Sequence, residues 1–131
     1  MREYLFRGKT DDGDKRWCFG NLTQIKNNAY ISECGFLGTI GVIPETVGQF
    51  TGLTDKNGIK IFEGDIVQLF DKYHNCTAEG YGKIIFSYEY VGGWVITSNG
   101  EDRLSLGIHT DIVEVIGNIH DNPELFEVKT T

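Results

Sequence analysis

Short turn signals cut this chain into segments too brief for most helices. DDGD stands at 11–14, Asn27-Asn28 follows, and then come DKNG at 55–58, EGD at 63–65, Gly92-Gly93 and NGED at 99–102. Gly, Asn and Asp suit such positions because they tolerate left-handed backbone or bond their own main chain. There are 17 Gly against 2 Pro. Among many Val, Ile, Tyr and Phe, that ratio describes tight turns between strands rather than disorder.

Strand-like runs fill the intervals: REYLFRG at 2–8, RWCFGNL at 16–22, AYIS at 29–32, TVGQFTGL at 46–53, IKIF at 59–62, IVQLF at 66–70, KIIFSYEY at 83–90, WVITS at 94–98, RLSLG from 103 and VEVIGNI at 113–119. Asn57-Gly58 predicts a type I′ hairpin, in which both central residues take positive φ. DKYHNCTAEGYG at 71–82 is polar and reads as a loop. GFLGTIGVI at 35–43 is a buried loop or an irregular strand. Its GxxGxxG spacing lacks the Lys-Ser/Thr and the following helix that a phosphate-cradling loop needs. At the end, Asn122 as N-cap and Pro123 at the first helical position predict one short helix.

The expected fold is therefore mainly β: short-stranded antiparallel sheets, an SH3-like barrel in the C-terminal part and one short C-terminal helix. The chain reads as one domain over 1–131, with 1–45 as an N-terminal β subdomain and 46–131 as barrel plus helix if it divides.

Net charge is −7 and unevenly spread. Residues 1–44 hold 6 basic and 5 acidic side chains, whereas 45–131 hold 6 basic and 14 acidic. Non-specific nucleic-acid affinity comes mainly from Lys and Arg, so broad DNA binding is disfavoured. A narrower basic patch is assembled by Arg2, Arg7, Lys9, Lys15 and Arg16, with Asp11, Asp12 and Asp14 among them. A solvated hairpin of mixed charge is the favoured reading. The three cysteines, Cys18, Cys34 and Cys76, are odd in number and form no CxxC, which points to buried reduced thiols. MREYLFRGKTDD has no apolar run of signal-peptide length, and no stretch reaches the roughly 18 apolar residues of a span, so a cytoplasmic location is expected.

Candidate chemistry is thin. An EF-hand loop begun at Asp55 places Ile at two ligand positions, Ile59 and Ile66, which defeats calcium. His74 and Cys76 are close in sequence, but Cys18, Cys34, His109 and His120 are scattered, so no zinc spacing appears. Glu63/Asp65, Glu101/Asp102 and Asp111/Glu114 are neighbours in turns or at strand ends, where solvated charge is the ordinary outcome. No metal, cofactor or catalytic residue is assigned, and the chain is read as non-enzymatic. A small enzyme with an acidic site is the outlying alternative.

Two long segments carry a resemblance. TVGQFTGLTDKNGIKIFEGDIV at 46–67 and VEVIGNIHDNPELFE at 113–127 are similar to signatures of the YopX family, and MREYLFRGK resembles its opening strand. The resemblance spans both ends and the middle of the chain. It implies a phage or prophage origin in a bacterial host, a mainly β fold and no assigned enzymatic activity. It supplies no ligand residues. The expected role is a non-catalytic accessory protein that binds a protein partner or self-associates. Nucleic-acid binding through the basic hairpin is the alternative.

Overall fold

The computed structural model describes residues 5–33, 38–70, 76–87, 93–98, 102–107 and 110–127; side chains of 76–80, 87, 98, 102–105 and 126–127 lie outside that description. The chain is mainly β and forms two antiparallel sheets. It divides into two compact units, Met1–Gly52 and Leu53–Thr131. The strands are β1 Phe6–Lys9, β2 Trp17–Ile25, β3 Asn28–Ser32, β4 Ile40–Val42, β5 Gly48–Thr54, β6 Lys60–Phe62, β7 Asp65–Phe70, β8 Cys76–Ser87, β9 Gly93–Ser98, β10 Asp102–Ser105 and β11 Val113–Asn118. The first sheet runs β4-β3-β2-β1-β5-β6, and the second runs β10-β9-β8-β7-β11.

In the first unit the sheet curls back on itself. Thr10, just past β1, bridges Val42 of β4. Ile43 N–H donates to Lys9 O at 2.8 Å and Asp11 N–H donates to Gly41 O at 3.1 Å. The short β4 is thereby paired to β1 as well as to β3, which removes an edge that another chain could extend. Cys18, Ala29, Ile31 and Val42 fill the interior, with Leu22, Ile40 and Val47 packed against them. Gly8 lets Val42 approach: a Cβ there would lie 3.1 Å from the Val42 side chain.

In the second unit the larger core gathers Val67, Leu69, Ile84, Ile96 and Val113 of the five-stranded sheet with Ile61 of β6 and Leu106, which follows β10. Burying each such side chain contributes roughly 1.5–3 kcal/mol, so this cluster is the main source of stability there.

Three local expectations change. The polar composition of 71–82 predicts a loop, but β8 begins at Cys76, which pairs with Phe70. The partner strand imposes extended structure that the segment's own composition does not announce. The DKNG turn is not type I′, because Gly58 has φ +81° while Asn57 has no positive φ. Gly58 N–H donates to Asp55 O at 3.0 Å and Asp55 N–H donates to Ile59 O at 2.8 Å, a turn closed by one left-handed glycine. At the C-terminal end the chain makes a single helical turn, Glu124–Glu127. The Asn122 side chain does not cap it, since its Oδ1 accepts from Asn118 N–H at 3.2 Å. No helix among the described residues is long and apolar enough to cross a membrane.

Candidate functional site: a cation-bearing aromatic face on the first hairpin

β1 and β2 pair with Lys9 opposite Trp17 and Arg7 opposite Phe19. Side chains directly opposite one another share a face, and alternation sends Gly8 and Cys18 to the other, into the core. The result is an Arg-Lys-Trp-Phe square in which Lys9 and Trp17 are half-buried. The Arg7 guanidinium carbon lies 4.6 Å from the Trp17 ring centroid, and the Lys9 ammonium lies 5.5 Å from it. Both fall within the range where a ring face attracts a cation, worth about 0.5–2 kcal/mol per contact. Arg7 is only 8% exposed, whereas Phe19 is 41% exposed.

The hairpin end is built differently. Thr10 Oγ1 donates to Asp12 Oδ1 at 2.8 Å, and Asp14 N–H donates to the same oxygen at 3.0 Å. The Thr10 hydroxyl, then the Asp14 amide, hold the Asp12 carboxyl below its ordinary value. Thr10 Oγ1 also accepts from Arg16 N–H at 3.2 Å.

The five basic residues proposed from sequence are therefore not one patch. Arg7 and Lys9 share the Trp17 ring. Arg16 reaches Glu33 at 3.9 Å. Lys15 is exposed at a left-handed turn position, φ 51°. Arg2 lies outside the described residues. Sequence reasoning named Arg7 and Lys9 but not Trp17 and Phe19 as their partners. The matching i, i+2 spacings in RGK and WCF carried that signal once the hairpin register was known.

The remaining candidates resolve into scaffolding. Asp55 is buried, and its carboxylate accepts three main-chain N–H groups: Asn57 at 2.8 Å, Ile59 at 3.0 Å and Val115 at 2.8 Å. Lys56 N–H adds a bond to Val113 O at 3.1 Å. Asp65 is buried and accepts from Phe62 N–H at 2.7 Å, the local bond expected of a turn aspartate. Asn118 Oδ1 accepts from His120 and Asp121 N–H at 3.0 and 2.9 Å. Gly117 leaves room for Asn122, whose Oδ1 a Cβ would strike. Cys18 is a buried free thiol, 3.5 Å from Gly8 O, and burial, then the Glu33 charge, push its pKa up. Among the described residues no three His, Cys, Asp or Glu side chains converge to hold a metal. His74, His109, Cys34 and Glu101, and the side chains of Cys76 and Asp102, lie outside the description.

Fold and site together define a small antiparallel β scaffold whose signature residues serve turns and strand contacts. A family model described as YopX protein matches residues 3–127, and the chain belongs to the YopX family. No curated protein matches it. Among solved structures, a crystal structure of protein EF1440 from Enterococcus faecalis is similar in fold, with a TM-score of 0.57. The two are 24% identical, and the match covers 96% of this chain and 99% of that one.

Proposed function

We propose that this protein is a non-catalytic, phage-type accessory protein that works by docking another protein on the Arg7-Lys9-Trp17-Phe19 face. The observation that carries this reading is the Trp17 ring bearing two cations beside the exposed Phe19. Trp and Arg dominate protein-binding hot spots because they combine a large apolar area with directional charge. Membership of the YopX family supports the phage-type context. A nucleic acid is the less favoured occupant. Asp11, Asp12 and Asp14 alternate with the hairpin cations along the chain and Glu33 lies 3.9 Å from Arg16, whereas counterion release needs a run of unopposed cations.

The second unit we read as an SH3-like barrel. Its support is the strand order β10-β9-β8-β7-β11, in which the last strand returns beside the first, and the 3-10 turn Thr110–Ile112 that precedes it.

The test is affinity capture from lysogenic cells with the wild type and with Trp17→Ala, alongside gel shifts on DNA and RNA at low salt. Specific protein partners lost in Trp17→Ala are the expected result. Identical partner sets for both forms, or an oligonucleotide shift that fades with salt, would overturn it. Capture of tagged by untagged chain, lost in the same variant, would identify self-association as the binding mode.

A further inference from the structure

The dipeptide Asn-Gly stands at 57–58 and at 99–100 of the chain. The second pair lies outside the described residues. The first is exposed in the turn between β5 and β6. Gly58 is left-handed at φ +81°, and a Cβ there would meet nothing within 4 Å. Among the described residues Asn57 bonds through its main-chain N–H, and its side-chain amide has no hydrogen-bond partner.

An exposed asparagine followed by glycine can react with its own main chain. The glycine amide nitrogen gives its proton to hydroxide, and its electron pair forms a bond to the asparagine Cγ. The side-chain nitrogen takes a proton from water and leaves as ammonia, which closes a five-membered succinimide. Water then opens the ring at either carbonyl, giving aspartate or isoaspartate. Glycine leaves the approach unhindered because it carries no side chain. In this chain the turn opposes the first step. Gly58 N–H, the attacking group, donates to Asp55 O at 3.0 Å. Asp55 Oδ1 holds the amides on either side of it, Asn57 N–H at 2.8 Å and Ile59 N–H at 3.0 Å. One residue thus pins three successive amides. The turn must open before the ring can close, so the rate follows the population of the open turn.

We propose that Asn57 is a site of spontaneous modification, converted through Gly58 to aspartate and isoaspartate, with Asp55 as the latch that restrains it. Isoaspartate carries the main chain through its β-carbon, so conversion lengthens the turn by a methylene group. It also adds a carboxylate beside Asp55, whose other oxygen accepts from Val115 N–H of β11. The site lies in a different turn from the hairpin face and does not depend on what that face binds.

The test is incubation of the full chain at neutral pH, well below its unfolding temperature, with peptide mapping by mass spectrometry to follow aspartate and isoaspartate at position 57. Four samples run in parallel: native wild type, wild type unfolded in guanidinium chloride, Asp55→Ala, and Leu106→Ala. Leu106→Ala weakens the core of the same unit without touching the turn. The unfolded chain and folded Asp55→Ala should convert Asn57 at least about tenfold faster than native wild type, the scale of losing one hydrogen bond to a charged acceptor. Leu106→Ala should stay close to wild type. No conversion at Asn57 even in the unfolded chain overturns the site. Equal rates in native wild type and Asp55→Ala overturn the latch, as does an equal acceleration in Leu106→Ala. If Asp55→Ala fails to fold, Asp55→Asn, which removes the charge and keeps the shape, decides in the same terms.

Discussion

The turn after β1 and the turn after β5 are both led by aspartate and both hold a glycine in left-handed backbone, Gly13 at φ +96° and Gly58 at φ +81°. In the first, the Asp12 carboxylate is exposed and bonds groups only two residues away, Thr10 Oγ1 and Asp14 N–H. In the second, the Asp55 carboxylate is buried, bonds two amides of its own turn, and uses its other oxygen on Val115, 60 residues along the chain. The local chemistry is the same. The difference is what lies across from the free oxygen. In water it adds little, whereas beside the outer edge of β11 it closes a strand. With Lys56 N–H on Val113 O, it occupies main-chain groups that would otherwise template another chain.

Breaking the Asp55 turn should have the largest effect. Asp55→Ala strands three N–H groups, and hydrogen bonds to a charged acceptor are worth about 1.5–3 kcal/mol each without adding fully. A loss near 3 kcal/mol in urea unfolding is expected, with faster hydrogen exchange at the Val115 amide and a tendency to associate through β11. A loss no greater than that of an exposed turn variant would mean the long-range bond is unimportant.

The glycines should behave alike despite their different settings. A Cβ at Gly13 or Gly58 would meet nothing within 4 Å, so only the backbone conformation resists it. Gly13→Ala and Gly58→Ala are each expected to cost about 1 kcal/mol by urea unfolding. A much larger cost at Gly58 would show that its conformation is coupled to the Asp55 bonds.

Asp12 should matter least, and its effect should depend on pH. Its folded pKa is depressed below the ordinary 3.8, first by the Thr10 hydroxyl and then by the Asp14 amide. Its contribution is therefore present above the unfolded carboxylate value and lost as pH falls through the folded one. Asp12→Asn should lower stability slightly at neutral pH and converge with wild type in strong acid, followed by circular dichroism. A difference that persists at the acid end would assign the effect to turn geometry instead.

A fourth measurement compares the two turns directly. In native-state hydrogen exchange, the Asp14 amide, bonded to an exposed carboxylate, should exchange far sooner than the Val115 amide, whose acceptor is buried. Similar rates would dissolve the distinction.

Much of the fold was legible because turn chemistry and strand composition are local. DDGD, DKNG and EGD marked real turns, and the mainly β, antiparallel reading follows from the segments they bound. The polar start of β8 was missed because Cys76 is extended by pairing with Phe70, which no neighbour in sequence announces. The turn type at 55–58 was misjudged because a pair rule ignored the Asp55 carboxylate, which organises Asn57 and Ile59 directly. Of the candidate site, the cations were visible. Their division was not, since a shared Trp17 ring for Arg7 and Lys9 depends on hairpin register.

The short turn signals by themselves determined a chain of brief strands, and the long motifs at 46–67 and 113–127 determined the family. Both are properties of residues near one another, where backbone preference and side-chain-to-backbone bonds act within a few positions. Only the tertiary structure decided that Asp55 belongs to Val115 and that β4 closes on β1. Those pairings join residues far apart in the chain, and burial, which exists only after folding, sets what each polar group needs.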